Sequence, residues 1–205
     1  IPFNVKIRYN EQYKKLKELT MSKVYVYIGR FQIPHFGHES VMKHAINEGD
    51  EVLILIGSSN TPRSRKNPFS FEERKEMVQN ITNKYKGNKK VSILALPDFE
   101  KDQDWVDEVK KLVSSISNKD DQVFITGCQK TGDESTFYLK LFPEWKSDFI
   151  KEVNFEGIDV ISSTKIREMF YGNMDVPDVV SVETKKYLHS FKENNRLLFE
   201  ELIKN

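Results

Sequence analysis

Short apolar runs alternate along the chain with longer stretches whose apolar positions recur at helical spacing. Residues 24–28 have the pattern of a strand, and 52–56 form a continuous apolar run, as expected for a strand buried on both faces. Residues 91–96 and 123–126 fit the same pattern. Between these runs, 38–48, 71–82, 105–115 and about 137–142 carry helical patterns, and Ser163–Tyr171 predicts a further short helix. Pro177 opens a last segment that runs helically to Asn205 with a weak point at Asn194-Asn195. Proline suits a helix start because its missing donor would be unpaired there anyway. Strands alternating with helices predict an α/β fold, a doubly wound parallel sheet with a C-terminal helical segment. Such sheets bind ligands at the carboxyl ends of their strands, near the switch in strand order. The chemistry is therefore sought in the loops that follow strands.

A chain of 205 residues suggests one domain of ordinary size with small appendages. The division expected is 1–20 as an extension or leader, 21–176 as the main domain, and 177–205 as a helical segment packed on it. The first twenty residues are polar and Lys-rich, without the apolar core of a signal peptide. With 32 basic and 31 acidic residues, no global field draws the protein to nucleic acid or a membrane, so any anion site must be local. The apolar run at 52–56 is far too short to span a bilayer. Cys128 is the only cysteine, which rules out an intrachain disulfide and suits a reducing cytoplasm.

The first strand runs straight into Gly29-Arg30-Phe31-Gln32-Ile33-Pro34-His35-Phe36-Gly37-His38. Gly29 permits close backbone approach to a ligand. Gly37 stands where the helix opens, and His35 and His38 fall on one face at its amino end. Free N–H groups and the helix dipole favour an anion there, and Arg30 adds a fork of donors suited to phosphate. Two histidines are too few for a structural zinc site. Ordinary packing would explain one histidine better than it explains two of the chain's four in a single turn.

His35-Phe36-Gly37-His38 resembles the HxGH signature of the nucleotidylyltransferase superfamily. With Gly29-Arg30-Phe31-Gln32 before it, the run is similar to the GRFQPFHxGH form of one branch. That branch holds the archaeal-type nicotinamide-mononucleotide (NMN) adenylyltransferases and the matching domain of bifunctional adenylyltransferase/Nudix proteins. Ile33-Pro34 replaces the usual Pro-Phe, a change of loop shape. Ile161-Ser162-Ser163-Thr164-Lys165-Ile166-Arg167 is similar to the family's ISSTxIR. Its hydroxyls and N–H groups again suit an anion at a helix start, and a plain Ser/Thr cap is compatible with that. Asn67-Pro68-Phe69 through Arg74 resembles the branch's NPFxxxER, within which Ser70 and Glu73 form a capping box. The stretch from Pro97 to Trp105 resembles the one carrying the nicotinamide-stacking Trp, where a flat indole suits a pyridinium. Gly127 to Trp145 looks like GHxKDxSSYYLxxFPxW, with Cys128 in place of His and two extra residues after Lys130; Phe142 to Trp145 suggests packing.

The resemblance implies a Rossmann-like enzyme, ATP and NMN as substrates, and NAD and pyrophosphate as products. His35, His38, Arg30 and Arg167 are expected at the triphosphate, with Gly29, Phe31, Gly37, Ser163 and Thr164 completing the ATP cradle. Trp105, Asn67 and Arg74 are expected at NMN. Arg63, Arg65 and Lys66 divide evenly between phosphate contact and a solvated charge run. Magnesium would arrive with ATP, held by phosphates and water and by no protein cage. No Nudix box is found. Three questions stay open: nicotinic acid mononucleotide as acceptor, homo-oligomerisation, and whether the chain is another HxGH transferase (pantetheine-phosphate adenylyltransferase or cytidylyltransferase) or a non-catalytic nucleotide sensor.

Overall fold

The computed structural model describes residues 21–129, 140–151, 162–172, 174 and 178–204. Its central strand β1 (Lys23–Gly29) is flanked on one side by β2 (Glu51–Ile56) and then β3 (Lys90–Ala95), and on the other by β4 (Gln122–Gln129) and then β5 (Lys146–Lys151). All four pairings are parallel. The chain steps outward from β1 to β3, then crosses back to β4 on the far side of β1. This reversal opens the crevice expected at the carboxyl end of β1.

The pleat divides the sheet into two buried faces. Tyr25, Tyr27, Val52, Ile54 and Ile56 pack beneath α1 (Phe36–Glu48) and α2 (Phe71–Asn83). Val24, Val26, Leu53, Leu55 and Ile125 pack against α3 (Asp102–Ser114). Phe142 closes that second face and stacks on Trp145 at 4.4 Å, so this pair is packing, as expected.

A third core lies off the sheet. Ile33 and Phe69, from the loops after β1 and before α2, meet Ile166 and Phe170 of α4 (Ser163–Tyr171). Leu188 and Phe191 of α5 (Val182–Asn194) and Leu202 of α6 (Arg196–Lys204) cover them. This cluster holds the two sequence motifs in one body.

Helices α1, α2 and α4 lie within two residues of their expected bounds, and α3 begins three residues early. The C-terminal segment divides at Asn195, whose ψ of 40° ends α5. Of the helix expected over 137–142, residues 137–139 lie outside the described residues and 140–141 form a single tight turn. Strand β5 was not expected: Lys146-Ser147-Asp148-Phe149-Ile150-Lys151 has two apolar residues in six. An edge strand tolerates this, because charge along an edge discourages pairing with other chains.

Asp148 of β5 anchors that edge. The Tyr25 hydroxyl donates to its Oδ2 at 2.6 Å, and His44 Nε2 lies 3.0 Å from the same atom. Burial works to raise the Asp148 pKa, but the Tyr25 and His44 hydrogen bonds hold it below the usual carboxylate value. A lowered folded value gives stability that is full above the unfolded carboxylate range and is lost as pH falls through the folded value. Tyr25→Phe is therefore expected to cost about 1 kcal/mol at pH 7 and less at pH 2, where the carboxyl is more protonated than at pH 7. Thermal melts at both pH values check this; an equal loss at both would assign the effect to packing.

Candidate active site

The turn after β1 is shaped by its two histidines. His35 is the N-cap of α1, and its Nδ1 accepts the Gly37 N–H at 3.1 Å. The His35 N–H in turn donates to Nδ1 of His38 at 3.2 Å, completing a capping box made of two imidazoles. Their ring centroids lie 3.9 Å apart. An Nδ1 that accepts carries no proton, so each neutral ring keeps its proton on Nε2. Both rings are thereby set as Nε2–H donors. A Cβ at Gly37 would lie 3.0 Å from His35 Cε1, so the glycine makes room for the folded-back imidazole.

Phe31 is buried, and its ring lies edge-on to His38 at 5.1 Å between centroids. A Cβ at Gly29 would come within 2.7 Å of Phe31 Cζ. The room that the sequence assigns to a ligand at Gly29 is thus taken by the Phe31 ring, which corrects that expectation. Gln32, which the sequence reading did not single out, is 3% exposed and grips Phe69 twice. Its Nε2 donates to the Phe69 carbonyl at 2.8 Å, and its Oε1 accepts the Phe69 N–H at 3.0 Å. Its place in the GRFQ run was the available signal.

The late motif closes on this loop. Arg167 donates through Nη1 to the Gln32 carbonyl and through Nη2 to Thr164 Oγ1 at 3.1 Å. Ser163 Oγ donates to the Ile33 carbonyl at 3.1 Å. The cap of α4 is Ser162, which leaves Ser163 and Thr164 in the first turn. His35, His38, Phe31, Gly37, Ser163, Thr164 and Arg167 are therefore brought together, with Arg30 exposed beside them. Burial first, and then the Arg30 charge, lower the Arg167 pKa.

Several of the expected side chains are committed within the protein. Arg74 is 1% exposed, and its donors go to the carbonyls of Arg30, Gly57, Ser58 and Ser70, so it is a buried clamp and not a surface ligand for NMN. Arg63 pairs with Glu73 and donates to the Pro68 carbonyl, while Arg65 reaches the Ile203 carbonyl and covers the Tyr171 ring. Both residues remain exposed, but Arg63 commits its fork to Glu73 and Arg65 commits Nη1 to the Ile203 carbonyl. Asn67 is buried and turns back on Ser64 through its N–H, while its Oδ1 is buried without a protein partner. Ser70 and Glu73 do form their capping box. Trp105 is half-buried in the first turn of α3, 6.0 Å from Phe142 between ring centroids. Cys128, near the end of β4, packs partly buried on the α1 face; residues 130–139 lie outside the described residues.

Comparison with known proteins bears on the same turn and helix. The family described as cytidylyltransferase-like matches residues 26–169, which include both motifs. A nicotinamide/nicotinic acid mononucleotide adenylyltransferase from Acinetobacter baylyi is 34% identical over 82% of this chain and 86% of its own length. A nicotinamide-nucleotide adenylyltransferase from Pyrococcus horikoshii is 28% identical over 84% and 86%. Among solved structures, a bifunctional NMN adenylyltransferase/ADP ribose pyrophosphatase from Francisella tularensis superposes with a TM-score of 0.77 at 28% identity. That match covers 90% of this chain and 53% of the other, so this chain spans about half the length of the bifunctional protein. With both motifs inside the matched region and 34% identity to a relative over most of both chains, the chain belongs to the cytidylyltransferase-like family, in its nicotinamide-nucleotide adenylyltransferase branch.

Proposed function

We propose that the chain transfers the adenylyl group of ATP to the 5′-phosphate of NMN, giving NAD and pyrophosphate. One observation carries this reading: the paired imidazoles at the start of α1 and the first turn of α4 meet over the carboxyl end of β1, joined through Gln32 and Ile33. Two helix amino ends, two Nε2–H donors and two guanidinium groups converge where the triphosphate of ATP would lie.

The mononucleotide phosphate attacks the α-phosphorus in line, and pyrophosphate leaves. No protein nucleophile is needed, so catalysis consists of alignment and stabilisation of charge on the phosphate oxygens. His35 and His38 donate from Nε2 to those oxygens, and Arg30 and Arg167 balance the leaving charge. Among the described residues no group of three or more His, Cys, Asp or Glu is placed to hold a metal ion. In this proposal magnesium travels with ATP on phosphate oxygens and water. Trp105 remains the candidate for stacking nicotinamide. No helix among the described residues is long and apolar enough to cross a membrane, and the proposed setting is the cytoplasm, where ATP is at hand.

The decisive assay is pyrophosphate release from ATP and magnesium with NMN, nicotinic acid mononucleotide or pantetheine phosphate as acceptor. Release is expected with the first, with NAD as product, and none with the last; EDTA abolishes it. Release with pantetheine phosphate alone would replace this reading. His38→Ala is expected to lower kcat by roughly 100-fold while leaving NMN binding within a few-fold. Lost binding with turnover intact would refute the role given to His38.

A further inference from the structure

Phe31 and Ser58 are the two non-glycine residues with positive φ among the described residues, at 51° and 50°. Each lies two positions beyond a central strand, Phe31 after β1 and Ser58 after β2. A side chain makes this left-handed conformation unfavourable, so something must hold it. The carbonyl just before each residue gives the answer. Arg74 Nη1 donates to the Arg30 carbonyl at 2.8 Å and to the Gly57 carbonyl at 2.6 Å. One nitrogen thus pins both peptide planes that lead into the left-handed residues. Nη2 takes the Ser58 carbonyl at 3.2 Å, and Nε takes the Ser70 carbonyl at 3.2 Å.

This is an unusual use of a cation. A buried charge ordinarily needs an ionic partner, yet every acceptor of Arg74 is a neutral carbonyl. Burial, followed by the like charge of Arg30, lowers its pKa to about 10, which still leaves it charged at neutral pH.

Both peptides are trans, so a carbonyl aimed at Arg74 sends the next N–H the opposite way. The N–H groups of Phe31 and Ser58 therefore project away from the guanidinium, and neither has a protein acceptor among the described residues. The two loops run side by side, since Gly29 pairs with Ile56 and the Gly57 N–H donates to the Gly29 carbonyl at 2.9 Å. A cation behind the two carbonyls also polarises each peptide and strengthens its N–H as a donor.

We propose that Arg74 is a positioning residue that locks these two peptide planes, so that the Phe31 and Ser58 N–H groups form a paired seat for the phosphates of ATP. The inference rests on the adenylyltransferase reading for its ligand, but its geometry does not depend on the acceptor.

The test begins with isotope-labelled wild-type protein titrated with tripolyphosphate. The amide signals of Phe31 and Ser58 are expected to show the largest downfield shifts and to saturate together; no shift at either overturns the proposal. ATP affinity is then measured by calorimetry for Arg74→Lys, Ser58→Gly and the double variant. Arg74→Lys keeps the charge but loses the fork, and is expected to weaken ATP binding at least tenfold with NMN affinity within threefold. Glycine holds a positive φ without help, so in the Ser58→Gly background the loss should shrink at least threefold. No loss, or a loss unchanged by the glycine, overturns the clamp. If Arg74→Lys does not fold, the wild-type titration decides alone. A wild type that seats tripolyphosphate on these amides but makes no dinucleotide sinks the adenylyltransferase reading and leaves the seat standing.

Discussion

The loop that leaves β1 has buried carbonyls and no regular partner of its own, and the rest of the site depends on how they are satisfied. Buried backbone oxygens must find donors. For Gln32 and Ile33 the donors are Arg167 and Ser163, from a helix far along the chain. The Gln32 side chain meanwhile fixes Phe69, and Phe69 seats the loop before α2 in the third core. One short segment therefore sets the direction of α1, the place of α4 and the path of the basic loop. Loss of the Arg167 bond would leave a buried carbonyl unpaired as well as remove a charge from the site.

The electrostatics follow from the same economy of space. A chain with a net charge of +1 still gathers Arg30, Arg74 and Arg167 about one crevice. The two buried guanidiniums each feel Arg30 as a repelling neighbour. Such a crevice favours a polyanion because that ligand relieves the repulsion, whatever the charge of the whole molecule.

What the sequence made legible depended on burial. The continuous apolar run of β2 is visible because both faces of that strand are covered, and the helix Ser163–Tyr171 shows its own cap and apolar spacing. Strand β5 is hidden because an edge strand with Lys146, Asp148 and Lys151 has no apolar periodicity to display. The two imidazoles were readable from their spacing, but their mutual capping was not, since it needs the φ of His35. Arg63, Arg65 and Arg74 look alike in a sequence. What separates them is the neighbour each finds: a carboxylate for Arg63, a helix-end carbonyl for Arg65, and two strand-exit loops for Arg74. Gly29 looked like space for a ligand because no sequence shows that Phe31 turns back over it.

The joint between Gln32 and Arg167 spans 135 residues of chain, and this has a consequence for vectorial synthesis. A ribosome releases β1 and its histidine turn early, and the apolar faces of the first strands and helices can begin to close behind them. The carbonyls of Gln32 and Ile33 must stay hydrated until α4 emerges, and Arg65 has no Ile203 carbonyl to grip until α6 does. Contacts this distant in sequence form late. A nascent chain can thus own most of its sheet well before it owns a place to put a nucleotide.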